Sequence, residues 1–267
     1  MTDDTAPIAT DPTTGVRTRR VLRAVGRWVT AAVVCGGLGA GTAYGISGME
    51  RHEVPGLATE HDGRWEYPKL TLPALPQGSP RPFTDGNQAE AHHADLRKLL
   101  LPAPAGATVD KKLNGGWTTV GQYLAEYEKD ERPALQQALT EHAVRHVVAR
   151  GWTMPDGTST RIHLLRFDSV AFTQAFQDVD LEFGAAAGKP LAGSPDLAPD
   201  EKWPSQDVVP GTTSHAYVEK APYGPERTRL AYIVAGDTVA MIVQSRKGDT
   251  AEVPFHQTVV LQNQLLG

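Results

Sequence analysis

Thr228-Arg229-Leu230-Ala231-Tyr232-Ile233-Val234-Ala235, Gly236-Asp237, Thr238-Val239-Ala240-Met241-Ile242-Val243-Gln244-Ser245 is the stretch on which the fold turns. Two runs rich in Val, Ile and Tyr meet at a Gly-Asp pair, residue types suited to a tight turn, so the stretch reads as two strands joined by it. Residues 215–220 read as a third strand, and a final helix opens at Pro254 and runs to Leu266, with Phe255, Val259, Leu261 and Leu265 available for burial. Upstream, residues 151–154 and 158–167 flank the turn Pro155-Asp156-Gly157 and form a second hairpin, after which Asp168 caps a helix over 169–183. Before that hairpin, 133–150 reads as a helix that starts on Pro133 and stops at Gly151. Helix, two strands, helix, three strands, helix is an α+β order. It implies one antiparallel sheet of about five strands with helices packed on one face.

Elsewhere the signals are local. Thr84 or Asp85 caps a short helix ending at Leu101, which Pro102 and Pro104 terminate, and 117–129 reads as a further helical piece. Residues 184–212 hold four glycines and five prolines and read as a lid, a binding loop or disordered chain. Trp203 inside that loop argues for docking, because a free loop wastes its apolar area. The Asp156-Gly157-Thr158 turn with its strand and helix echoes Gly236-Asp237-Thr238, which suggests either a duplication or chance.

Residues 28–49 carry no charge over 22 positions, with Arg17, Arg19, Arg20, Arg23 and Arg27 on one side and Glu50 and Arg51 on the other. At about 1.5 Å per helical residue the run reaches roughly 33 Å, enough to cross a bilayer. The arginines place residues 1–27 in the cytoplasm and the bulk of the chain outside. Thr18-Arg19-Arg20-Val21-Leu22 also partly matches a twin-arginine export signal, with Gly41-Thr42-Ala43 as a cleavage site, so a secreted protein is the alternative. Gly37, Gly41 and Gly45 share one helix stripe and offer a face for a homodimer in the membrane. Proline-rich 50–83 reads as a stalk, in which Trp65 and Tyr67 either pin it to the domain or lie near the bilayer. The domain proper is then 84–267. The one cysteine, Cys35, lies in the apolar run, so this domain has no disulfide and holds together by packing.

Chemistry leaves few marks. Net charge is −5, and residues 28–267 carry −7, which excludes a nucleic-acid binder. There is no Gly-x-Ser-x-Gly elbow, phosphate-binding loop, calcium loop or extracytoplasmic thiol, so no catalytic residue and no cofactor is assigned. His142 and His146 sit one turn apart on the expected helix but lack the glutamate of a zinc protease, and read as a packing pair rather than metal ligands. His92 and His93 diverge as neighbours and read as surface residues, and Asp178, Asp180 and Glu182 as solvated acids. A sheet face left open by the helices would suit a ligand, with Trp203, Tyr217, Tyr223 and Arg227 as its candidate contacts, and Tyr232 and Arg229 beside them.

Arginine-rich basic usage (17 Arg against 9 Lys), abundant Ala, Gly and Pro, and the closing run Val253-Pro254-Phe255-His256-Gln257-Thr258-Val259-Val260-Leu261-Gln262 resemble actinobacterial, Streptomyces-like single-span or secreted proteins of unknown function. The element order of 133–267 resembles the extracytoplasmic sensor domains of PknH-type mycobacterial kinases. That likeness implies an α+β module with a cleft. It brings no motif, and it departs from those domains in lacking their disulfide cysteines, so no residue role carries over. The expectation is a membrane-anchored outer domain that binds a ligand, a cell-envelope component or a partner protein without performing chemistry. A secreted enzyme, or a structural accessory subunit dimerising through its membrane helix, are the alternatives.

Overall fold

The computed structural model describes residues 62–203 and 209–267, and 63–267 form one compact unit. The expected membrane helix over 28–49, its glycine stripe and the basic tail lie outside the described residues. Among the described residues no helix is long and apolar enough to cross a membrane.

Seven strands make one antiparallel sheet: β1 (Thr108–Trp117), β2 (His146–Thr153), β3 (Ser159–Arg166), β4 (Leu197–Pro199), β5 (Thr212–Glu219), β6 (Glu226–Ala235) and β7 (Thr238–Lys247), in spatial order β1-β2-β3-β7-β6-β5-β4. The expectation of about five strands missed β1 and β4, the two edges. β1 is mostly polar and glycine, as an edge strand with little burial on its outer side allows, and β4 is only three residues long, too short to show a period. Pairing of Ala235 with Thr238 makes Gly236-Asp237 a two-residue turn. Gly236 adopts φ +51°, and a side chain there would run into the Glu90 carbonyl.

Among the described residues four α-helices accompany the sheet: α1 (Val120–Leu124), α2 (Arg132–Glu141), α3 (Val170–Ala175), continued by a π turn at Phe176–Leu181, and α4 (Glu252–Leu266). They cover both faces, not one. On β7, Val239, Met241 and Val243 join the core beneath α1, α2 and α3, while Ala240 and Ile242 join the core beneath α4. Strands buried on both sides need continuous apolar sequence, which is why 228–245 shows so little polar alternation. In α4, Phe255 and Val259 sink fully into the second core, each contributing about 2 kcal/mol by burial. The apparent echo between the hairpins is not a symmetric repeat. A rotation relating antiparallel β3 and β7 preserves the sheet's faces, whereas α3 and α4 lie on opposite ones.

Two expected helices are corrected. The segment 84–101 is irregular apart from one 3₁₀ turn, Leu96–Lys98, which Asp95 caps through the Arg97 N–H. The segment 133–150 is helical only to Glu141. Ala143 takes a left-handed φ of +50°, Val144 N–H closes on Leu139 O, and Arg145 N–H then reaches Arg166 O to begin β2. Burial of Val147, Val148 and Ala149 between neighbouring strands outweighs local helix propensity. Gly151 is therefore mid-strand, and its expected role as a helix cap falls away. Ser169, one residue after Asp168, caps α3.

Residues 62–83 have no regular structure but lie along α4. Trp65 N–H donates to Gln257 Oε1 (2.8 Å), Gln257 Nε2 donates back to Trp65 O (2.9 Å), and Tyr67 shares a hydroxyl bond with Thr258 (2.8 Å). Of the two roles left open for Trp65 and Tyr67, this is the pinning one. The expected long loop is likewise laid down over 184–203, with Ala187 and Leu191 in the first core and Trp203 against the second.

Candidate functional site

The four ligand contacts expected from sequence do not converge. Tyr217 is buried under the first core, its hydroxyl accepting from Gly184 N–H (2.8 Å) and donating to Gly184 O (3.0 Å), and burial pushes its phenol up to about 12. Trp203 packs on the opposite face, where its indole N–H donates to Ser214 O (3.3 Å) and its ring meets His256 edge-on at 5.1 Å. Tyr223 is 67% exposed between β5 and β6. Arg227 sits half-buried opposite Arg246. The open sheet face that was to gather them does not exist, because helices occupy both sides; Tyr232 is accordingly buried too.

The histidines and acids sort into pairs that tie distant segments together. His142 ends α2 and bonds Asp180 (2.7 Å), while His146 starts β2 and stacks on Trp117, so the two share no helix face. His92, expected at the surface, is buried. Its Nδ1 faces Asp237 Oδ1 (2.6 Å) and its Nε2 faces the Leu266 carbonyl (2.7 Å). Both partners are acceptors, and the His92 backbone N–H also donates to Asp237 Oδ2 (3.2 Å). Burial alone would raise the Asp237 carboxyl, but the bond and charge of His92 outweigh it and hold the group below its ordinary range. Glu126 accepts from Arg161 Nε (2.8 Å) and His163 Nε2 (3.1 Å); these outweigh burial and bring it down to about 2. Asp200 accepts from His256 Nε2 (2.8 Å) and Arg229 Nη1 (2.7 Å), and is lowered against burial in the same way. The hydroxyl beside the His92–Asp237 pair, Thr238 Oγ1, donates to Asp237 Oδ1 (2.9 Å) and is fully buried, and these pairs serve as clamps. Among the described residues no group of three His, Cys, Asp or Glu side chains could hold a metal ion.

One cleft has a different character. It encloses about 360 Å³ beside the C-terminal end of α4 and is lined by Lys69, Arg97, Lys98 and Arg150 together with Leu70, Leu100, Pro102 and Leu265, and no acid lines it. Arg150 is half-buried on β2, where its Nη1 donates to the carbonyls of Leu100 (3.0 Å) and Leu101 (2.8 Å). Gly115 on β1, at φ +94°, leaves room for the guanidinium, since a side chain at that position would collide with it. Burial lowers the Arg150 pKa, yet a guanidinium stays charged. Its bonds go to neutral carbonyls, and among the described residues neither Arg150, Lys69 nor Lys98 has an ion-pair partner. Arg97 alone is matched, by two bonds to Asp95 (3.0 and 2.6 Å). Arg150 thus shares an apolar floor with the exposed Lys69 and Lys98, an arrangement of cations that can hold an anion.

Sequence reasoning missed this site because its cations come from three separated segments, two of which, 84–101 and 133–150, read as helices. Gly115 was the available signal, in an Asn114-Gly115-Gly116 run that reads as a turn but lies within strand β1.

No protein-family model matches the chain, and no curated protein matches it. Among solved structures the chain is similar to the extracellular domain of PknH from Mycobacterium tuberculosis, at 11% identity, covering 62% of this chain and 92% of that one, with a TM-score of 0.35. The overlap is loose, and no residue role passes between the two chains on it.

Proposed function

We propose that the chain is a membrane-anchored protein whose outer α+β domain binds an anionic component of the cell envelope without chemistry. In this reading residues 28–49 hold it in the membrane, and Gly37, Gly41 and Gly45 offer a homodimer face. The observation that carries it is the Arg150 guanidinium, seated over Gly115 at the wall of a cleft with Lys69 and Lys98 and bonded only to neutral carbonyls. Half-burying an unmatched cation is costly, so its retention there supports a ligand that supplies the missing charge.

Calorimetric titration of the purified full-length chain with short-chain polyphosphate tests this. Binding should weaken as salt rises. The exposed pair Lys69→Gln/Lys98→Gln should lose about a hundredfold in affinity, as expected for two charge-assisted bonds of roughly 1.5 kcal/mol each. Absence of binding at low salt, or equal affinity in the double variant, refutes the assignment.

A further inference from the structure

We infer that the cleft continues onto the half-exposed ring of Trp117, and that its ligand is an acidic glycan, a pyranose packing on the indole surface that Arg97 and His146 leave uncovered while its anionic substituent is held by Lys98 and Arg150. This rests on the anion-binding reading and deepens it.

Trp117 closes the edge strand β1 after two irregularities in its register with β2. It is 51% exposed, although a tryptophan on a domain with two full cores has apolar surface on which to hide. Its ring is held in place by His146, 4.9 Å away at 42°, and by Arg97, whose guanidinium carbon lies 5.0 Å from the ring centroid. Arg97 also lines the cleft, so the indole and the cationic pocket are contiguous through one side chain. Asp95 fixes that side chain with two bonds.

The chemistry of such a pair is specific. The axial C–H bonds of a pyranose present an apolar, slightly positive face, which suits the negative face of an indole. A flexible polyanion without rings gains nothing from an aromatic surface, and a neutral sugar gains nothing from the lysines. A uronate or sugar phosphate uses both, and the two anionic groups share the chemistry that the guanidinium and ammonium groups recognise.

The full-length chain is titrated with an oligogalacturonate, a maltooligosaccharide of equal length and short-chain polyphosphate. The oligogalacturonate should bind tightest. Trp117→Ala should cost it about tenfold while leaving polyphosphate within about twofold, and Trp117→Phe should restore most of the loss, since a second ring can still stack. The inference is overturned if Trp117→Ala weakens oligogalacturonate and polyphosphate alike, which makes the indole a prop for Arg97, or if it changes neither. If polyphosphate and oligogalacturonate both fail to bind the unaltered chain, the anion site itself falls, an outcome separate from the loss of the stacking subsite alone.

Discussion

Gly115 and Arg150 show how one missing side chain creates a charged site. The guanidinium occupies the space a Cβ at Gly115 would fill, and the backbone there adopts an angle that L side chains rarely accept. Gly115→Ala should therefore destabilise the fold by about 1–2 kcal/mol in urea unfolding, from strain in a left-handed position. It should also weaken polyphosphate binding, although Gly115 lines no part of the cleft, because the displaced guanidinium leaves its two carbonyl partners. Unchanged unfolding and unchanged affinity together would show that Arg150 is not held by this contact. Positions of this kind escape a sequence reading. Glycine next to glycine announces freedom of the backbone without saying which distant side chain uses the room.

Elements were legible where one periodicity held without competition. The hairpin β6–β7 and helix α4 could be read almost to the residue, because β-branched runs meeting at Gly-Asp and an apolar helix opening at Pro254 admit few other structures. The stretch 133–150 misled for the opposite reason. Its residues are mostly good helix formers, and pairing with β3 makes a strand of 146–153. Nor does local pattern reveal that α4 ends in a clamp, with the Leu266 carbonyl on His92 and His92 on Asp237 at the β6–β7 turn. His92→Leu fills the volume but leaves the Asp237 charge buried and short of a partner, so it should cost about 3–5 kcal/mol in urea unfolding. Asp237→Asn added to it should cost little more. Strict additivity of the two losses, within about 0.5 kcal/mol, would mean that the two side chains do not act as a unit.

Across the molecule the sequence disclosed class more readily than site, since α+β order follows from local signals whereas the cleft assembles residues 69, 97, 98 and 150 from remote segments. The same long-range logic governs how the layers are held to the sheet. Without disulfides, the domain joins them with buried carboxylates: Glu126 beside α1 to β3, Asp200 to β6 and α4, and Asp237 to the segment before the 3₁₀ turn. Each of the three is depressed in the folded state, Glu126 to about 2, against burial that works the other way. A depressed carboxylate contributes stability that is fully present above its unfolded pKa and disappears as pH falls through the folded one. The unfolding free energy should accordingly hold level from neutrality to about pH 5 and drop steeply between about pH 4 and pH 2. The three clamps share no side-chain partner, so their losses should add, and acid should unfold the sheet and both helical layers in one transition. Urea midpoints followed by circular dichroism at successive pH values check this. A midpoint unchanged between about pH 5 and pH 3, or two resolved transitions in acid, would show that apolar packing alone joins the layers.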